Sequence, residues 1–156
     1  MRVIKVFLLM MVWISLVFAE ELKIKANSFT SDQNTGISVF TGDVHIQKKN
    51  DKLNASKVTI YIDKNRKPTK FIALGNVSFS ITTKEGSVYD GVAGKVIYYP
   101  KKKEYYFYNN VHLKQLNDKK EIMGDEVVLK TTDGKAYAKG FKKEPVIMIF
   151  DIGEDK

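Results

Sequence analysis

Three times in this chain a segment that alternates like a β-strand is interrupted at its middle by residues that strands avoid: "VFTGDVHIQ" at 39–47, "IALGNVSFS" at 72–80 and "YFYNNVHLK" at 106–114. Gly, Asp and Asn weaken strand interiors. Their recurrence at Gly42, Gly75 and Asn109, spaced 33 and 34 residues apart, is therefore a structural period, and a period of roughly 20 to 50 residues signals a stacked repeat architecture. A second landmark alternates with the first: a small residue three places before an apolar one, at Ala26 and Phe29, Ala55 and Val58, Ala93 and Val96, and Gly124 and Val127. Each repeat reads as one out-and-back pair of long strands with a small residue near the middle of each. A small residue inside a strand serves a bulge or sharp bend, so each landmark is read as a corner.

The segments between the corners alternate apolar and polar residues, as in "KVTIYID" and "NVSFSIT", and helical periodicity is nearly absent. Turn chemistry separates them, in "KKNDK" at 48–52, "DKNRKP" at 63–68, "KEG" at 84–86, "PKKK" at 100–103, "LNDK" at 116–119 and "TDGK" at 132–135. The expectation is all-β: nine long strands forming two facing antiparallel sheets, a jelly roll or open roll of stacked, bent hairpins. Parity places Val44, Ile46, Val77, Phe79, Ile81, Val111 and Leu113 inside after the outward corners. It places Val58, Ile60, Ile62, Val96, Val127 and Leu129 inside after the return corners. His45, Gln47, Thr59, Ser78, Ser80, His112 and Lys114 fall on the opposite, wet face, which leaves an interior almost wholly of aliphatics and Phe.

The first residues limit where such a roll works. Arg2 and Lys5 precede an apolar run of 13 residues, Val6 to Phe18, followed by Ala19. This is the pattern of a secretory leader and is short of the about 20 residues that span a bilayer. Residues 1–19 are expected to be a cleaved signal peptide, and 20–156 a single exported domain. With the leader gone, 24 of the 26 basic residues remain against 18 acidic ones, a net charge of +6. After export, nucleic acid is the least suitable partner for that charge; a membrane surface or an anionic ligand suits it better. The chain has no cysteine, so disulfide, thiolate-metal and thiol chemistry are closed to it.

No catalytic constellation is present: the sequence has no phosphate-cradling glycine loop, no "HExxH", no "GxSxG" and no cysteine nucleophile. His45 and His112 occupy equivalent repeat positions, but with Ser78 between them on the wet face they read as solvated side chains. Neither a metal nor a cofactor is expected, and the chain is not read as an enzyme.

Taken together, the leader, "ANSFTSDQNTGISVFTGDVHIQ", "LNASKVTIYID" and "FIALGNVSF" resemble the OstA-like family of lipopolysaccharide-export proteins, the LptA family, over Leu22 to Phe150. The pair Ala26 and Asn27, and Asn109 in place of a third glycine, depart from that pattern. The resemblance implies a β-jellyroll in the periplasm that shields the acyl chains of lipopolysaccharide (lipid A) in its apolar groove, without catalysis. It also implies an inner-membrane LptC-like and an outer-membrane LptD-like partner. Seven or eight strands stacked at about 4.8 Å reach only about 35 to 40 Å, so a bridge between two membranes requires head-to-tail joining of copies. Val146, Ile147, Met148, Ile149 and Phe150, the apolar run after Pro145, are the expected joining edge. Two other readings stay open. Retention of residues 1–19 gives a membrane-anchored LptC-like partner, and a sealed core that binds no lipid gives a secreted β-rich structural or adhesion module.

Overall fold

A computed structural model describes residues 21–140 and 145–151; the expected leader, residues 1–19, lies outside them, as does Glu20. Every regular element among the described residues is a strand: β1 (Leu22–Lys25), β2 (Ser28–Asp32), β3 (Ile37–Lys48), β4 (Asp51–Ile62), β5 (Pro68–Thr82), β6 (Val88–Tyr99), β7 (Glu104–Gln115), β8 (Lys120–Lys130), β9 (Lys135–Lys139) and β10 (Ile147–Phe150). There are ten, one more than the nine expected, and the outermost four, β1, β2, β9 and β10, are short. β1 and β2 both pair with β3, and β9 and β10 both pair with β8.

The two expected sheets are the two arms of one continuous antiparallel ladder. The fold line follows the corners. Between Thr41 and Val44, between Leu74 and Val77, and between Tyr108 and Val111 the register steps. At each step two residues of the outgoing strand oppose one of the returning strand, which is a β-bulge. Both residues lie in the left-handed region: Gly42 and Asp43 at φ 82° and 44°, Gly75 and Asn76 at 84° and 45°, Asn109 and Asn110 at 67° and 52°. Asn tolerates this conformation better than other residues with a Cβ, so Asn109 replaces a glycine without losing the corner.

The extra residue also explains the two spacings read from the sequence. Outgoing strands keep one parity across the corner, as in Phe71, Ala73, Val77, Phe79 and Ile81, whereas returning strands shift by one, from Ala55 to Val58 and from Ala93 to Val96. All of these are at least partly buried, in one apolar core shared by both arms. Side chains fix the turns: the Asp63 carboxylate accepts from the Asn65 and Lys67 amides at 2.9 and 3.0 Å, and that of Asp32 from the Asn34 amide at 2.8 Å.

Candidate lipid-binding cavity

Of the thirteen residues expected to line the interior, eleven are buried: Val44, Val58, Ile60, Val77, Phe79, Ile81, Val96, Val111, Leu113, Val127 and Leu129. Ile46 packs partly buried against them. Ile62 does not belong with this set: it is 36% exposed at the end of β4, where the register steps between Tyr61 and Ile62. The extra residue at that step, Thr69, is on β5, so β4 keeps its alternation and Ile62 is exposed because the strand ends there.

The interior also holds residues not expected there. Phe40, Leu53, Phe71, Tyr105 and Ile122 pack against the core, and Tyr89 and Phe107 are buried in it. All lie before a corner rather than after it, and carrying the parity backwards through each bulge would have found them. Three tyrosines therefore join the aliphatics. Tyr98 stacks on Tyr105 at 4.3 Å, and Tyr105 lies 5.9 Å from Phe107. Burial raises the Tyr105 hydroxyl well above the ordinary tyrosine pKa, so its side chain is a neutral, mostly apolar surface.

Where the arms approach their free ends the core gives way to a cavity of about 700 Å³. Its inner wall includes Ile46, Leu53, Phe71, Ile81, Val96 and Tyr105, and its edge carries Lys48, Lys49, Lys52, Lys84 and Lys103. The β3–β4 turn on one arm and Pro68, Pro100 and Lys103 on the other frame this mouth. Beside the mouth the arms are joined by the Lys84 amide, which donates to the Thr131 carbonyl at 3.2 Å, while within the arm that carries Lys103 the Thr131 amide donates to the Lys103 carbonyl at 3.0 Å. Four of the thirteen expected residues, Ile46, Val58, Ile81 and Val96, thus line open space. Val44, Val77, Phe79, Val111 and Leu113 lie in the packed core.

Asp51 is the one acid at the mouth. It accepts the Thr82 amide at 2.8 Å. Desolvation by burial raises its pKa above the ordinary 3.8, while the Thr82 bond, Lys48 and Lys49 pull the other way. The histidines stand apart from the cavity. His45 Nδ1 pairs with Asn54 Oδ1, and His112 Nε2 lies 2.8 Å from Glu121 Oε2. Among the described residues no three His, Cys, Asp or Glu side chains gather as a metal site.

At the two ends of the roll the sheet stops in edge strands. All four residues of β10 are exposed, from 47% at Ile149 to 52% at Phe150, although β10 pairs with β8 along its other side. Val146 precedes that strand and is half-buried near Gly124. At the opposite end Leu22 and Phe29 are exposed.

These features define a class: a bent, open β-roll with an apolar interior that reaches solvent through a basic mouth. The sequence profile of the family described as LptA/(LptD N-terminal domain) LPS transport protein matches residues 23–135, and the chain belongs to that family, one of transport proteins rather than enzymes. The crystal structure of LptH, the LptA homologous periplasmic component of the conserved lipopolysaccharide transport device from Pseudomonas aeruginosa, matches with a TM-score of 0.76 and 17% identity. The match covers 85% of this chain and 96% of that one, and shows the fold they share. No curated protein matches the sequence.

Proposed function

We propose that this chain is a periplasmic carrier that shields the acyl chains of lipopolysaccharide in the cavity between its arms, and that copies join end to end to bridge the inner and outer membranes. The observation that carries the reading is the cavity itself: an apolar wall edged by five lysines, in a member of a lipopolysaccharide-transport family. Each methylene taken from water is worth about 0.8 kcal/mol, so acyl chains need such a wall, and the phosphates of a lipid A head group suit the lysines. LptH, which shares the fold, is described as periplasmic, in keeping with residues 1–19 as a cleaved leader.

The exposed edges at β10 and at β1 and β2 supply unpaired main-chain groups for joining one copy to the next. An LptC-like component at the inner membrane and an LptD-like one at the outer membrane would extend the same ladder. A photoreactive residue at Ile46, on the cavity wall, should crosslink to lipopolysaccharide in cells, and one at Ser78, on the outside of the same arm, should not. Equal labelling at the two positions, or none at Ile46, overturns the reading.

A further inference from the structure

The two arms differ on their outer faces, and the difference is independent of the cavity. On one arm the buried row Val58, Ala73, Val96, Phe107 and Val127 sends the next row outward: Thr59, Ile72, Ile97, Tyr106, Val128 and Tyr137, in unbroken register from β4 to β9. The flanking outward strand positions of β4 to β9 carry Lys57, Lys70, Lys95, Lys130, Lys135 and Lys139, against the acids Glu104 and Glu126. Glu104 is already engaged, accepting the Tyr106 hydroxyl at 2.7 Å and pairing with Lys130 at 3.9 Å. Lysines also lie over ring faces: Lys70 over Tyr61 at 4.4 Å, Lys130 over Tyr137 at 5.6 Å and Lys95 over Tyr108 at 5.8 Å.

The outside of the other arm is different in kind. Its rows run Lys25, His45, Asn54, Ser78, Val92, His112 and Met123, then Lys23, Gln47, Lys52, Ser80, Asp90, Lys114 and Glu121, with four lysines against two acids and histidine, amide and hydroxyl side chains in place of rings. None of the eight tyrosines is there: Tyr89, Tyr98 and Tyr105 are on the interior side, and Tyr61, Tyr99, Tyr106, Tyr108 and Tyr137 are on the outside of the first arm.

We infer that the tyrosine-bearing outer face binds the surface of a phospholipid bilayer carrying anionic head groups. Tyrosine has an apolar ring and a polar tip, which suits the boundary between head groups and acyl chains. Lysine lays its stem along apolar surface while its ammonium reaches phosphate. The half-exposed Ile72, Ile97 and Val128 between the rings have no hydrogen bond to offer a polar partner. An excess of six lysines over two acids across six strands fits an extended anionic plane better than one peptide strand.

The test is flotation of the purified protein with vesicles of phosphatidylglycerol and phosphatidylethanolamine, compared with phosphatidylcholine alone. Lys70→Gln with Lys95→Gln should weaken binding to the anionic vesicles about tenfold or more. Lys25→Gln with Lys114→Gln, which removes the same charge from the other outer face, should leave it nearly unchanged. Ile97→Ser should weaken it without altering charge, with circular dichroism confirming the fold. A Tyr137→Trp reporter should shift to the blue on binding, and a Ser78→Trp reporter should not. Equal losses from the two double variants, no binding of the wild type to anionic vesicles, or self-association abolished by Ile97→Ser in place of vesicle binding would each overturn the inference.

Discussion

The rings of Phe79 and Phe107 stack at a centroid separation of 4.4 Å and an angle of 26°, although their strands are not neighbours. β6 lies between them, and along β6 their partners are Gly91 and Val96. In a flat sheet the two side chains would stand on the order of 19 Å apart. Contact between them requires the ladder to fold at its corners, so this one pair reports that the arms have closed on each other.

Gly91 makes room for that contact. Its φ is ordinary, but a Cβ there would lie 2.6 Å from Phe79 Cζ and against the His112 carbonyl oxygen. Gly91→Ala should therefore cost about 1–3 kcal/mol by overpacking, and Phe79→Ala about 3–5 kcal/mol by leaving a cavity. The double variant should cost less than the two together, because removing the ring relieves part of the clash. Urea unfolding of the three variants measures this, and simple additivity would show that Phe79 is not what Gly91 accommodates.

The corner at Gly75 combines two separable demands. Its φ of 84° disfavours any Cβ, and a Cβ would also lie 2.7 Å from Ser56 Oγ. Gly75→Ala is expected to lose about 1–2 kcal/mol from the backbone alone, plus the crowding. Adding Ser56→Gly should recover only the second part. Asn109→Gly, at φ 67°, should unfold at nearly the wild-type midpoint, since glycine meets the same conformation freely.

Asp51 ties stability to pH at the cavity mouth. Its folded-state pKa lies above its ordinary value of 3.8 because burial disfavours the charged form. The native state therefore holds the proton more tightly than the unfolded one. The resulting stabilisation is present below the ordinary value and is lost as pH rises through the raised folded value. Asp51→Asn, which keeps an acceptor for the Thr82 amide, should remove this decline. In denaturation curves taken upward from pH 3.8, the variant should gain on the wild type as pH rises, and parallel profiles would show that Asp51 is not responsible.

The edge of β10 can be blocked without breaking the fold. The Asp151 amide donates to the Lys119 carbonyl at 3.3 Å, and hydrogen-bonded pairs alternate along an antiparallel ladder. Ile147 and Ile149 therefore bond inward to β8, while the amides of Met148 and Phe150 face the open side. Prolines at Met148 and Phe150 should leave a folded monomer that no longer joins end to end, because proline is tolerated where an edge amide faces solvent. Prolines at Ile147 and Ile149 should strip β10 from its own sheet. Sizing at high concentration with circular dichroism separates the two outcomes, and undiminished assembly of the first variant would remove this edge from the bridge.

Much of this architecture is local and so was legible in the residues. A left-handed corner needs Gly, Asn or Asp at the position itself, and a one-sided strand needs alternation, so the β-class, the 33-residue period and most of the buried set follow from Gly42, Gly75, Asn109 and the valines two places beyond each. Parity states only which face a side chain is on. Whether that face meets another wall depends on how far the ladder closes and where its free ends touch, and those contacts join residues distant in sequence. Only the tertiary structure decided that Phe79 meets Phe107 in packed core while Ile46 and Ile81 face open space, that Lys84 and Thr131 join the seam beside a mouth left open at the β3–β4 turn, and that Ile62 falls outside. The single ladder has one physical cause for both: the bulges of β3, β5 and β7 line up at the corners, so pairing is interrupted only there and resumes on both sides, and the fold that looked like two sheets has no free edge between them.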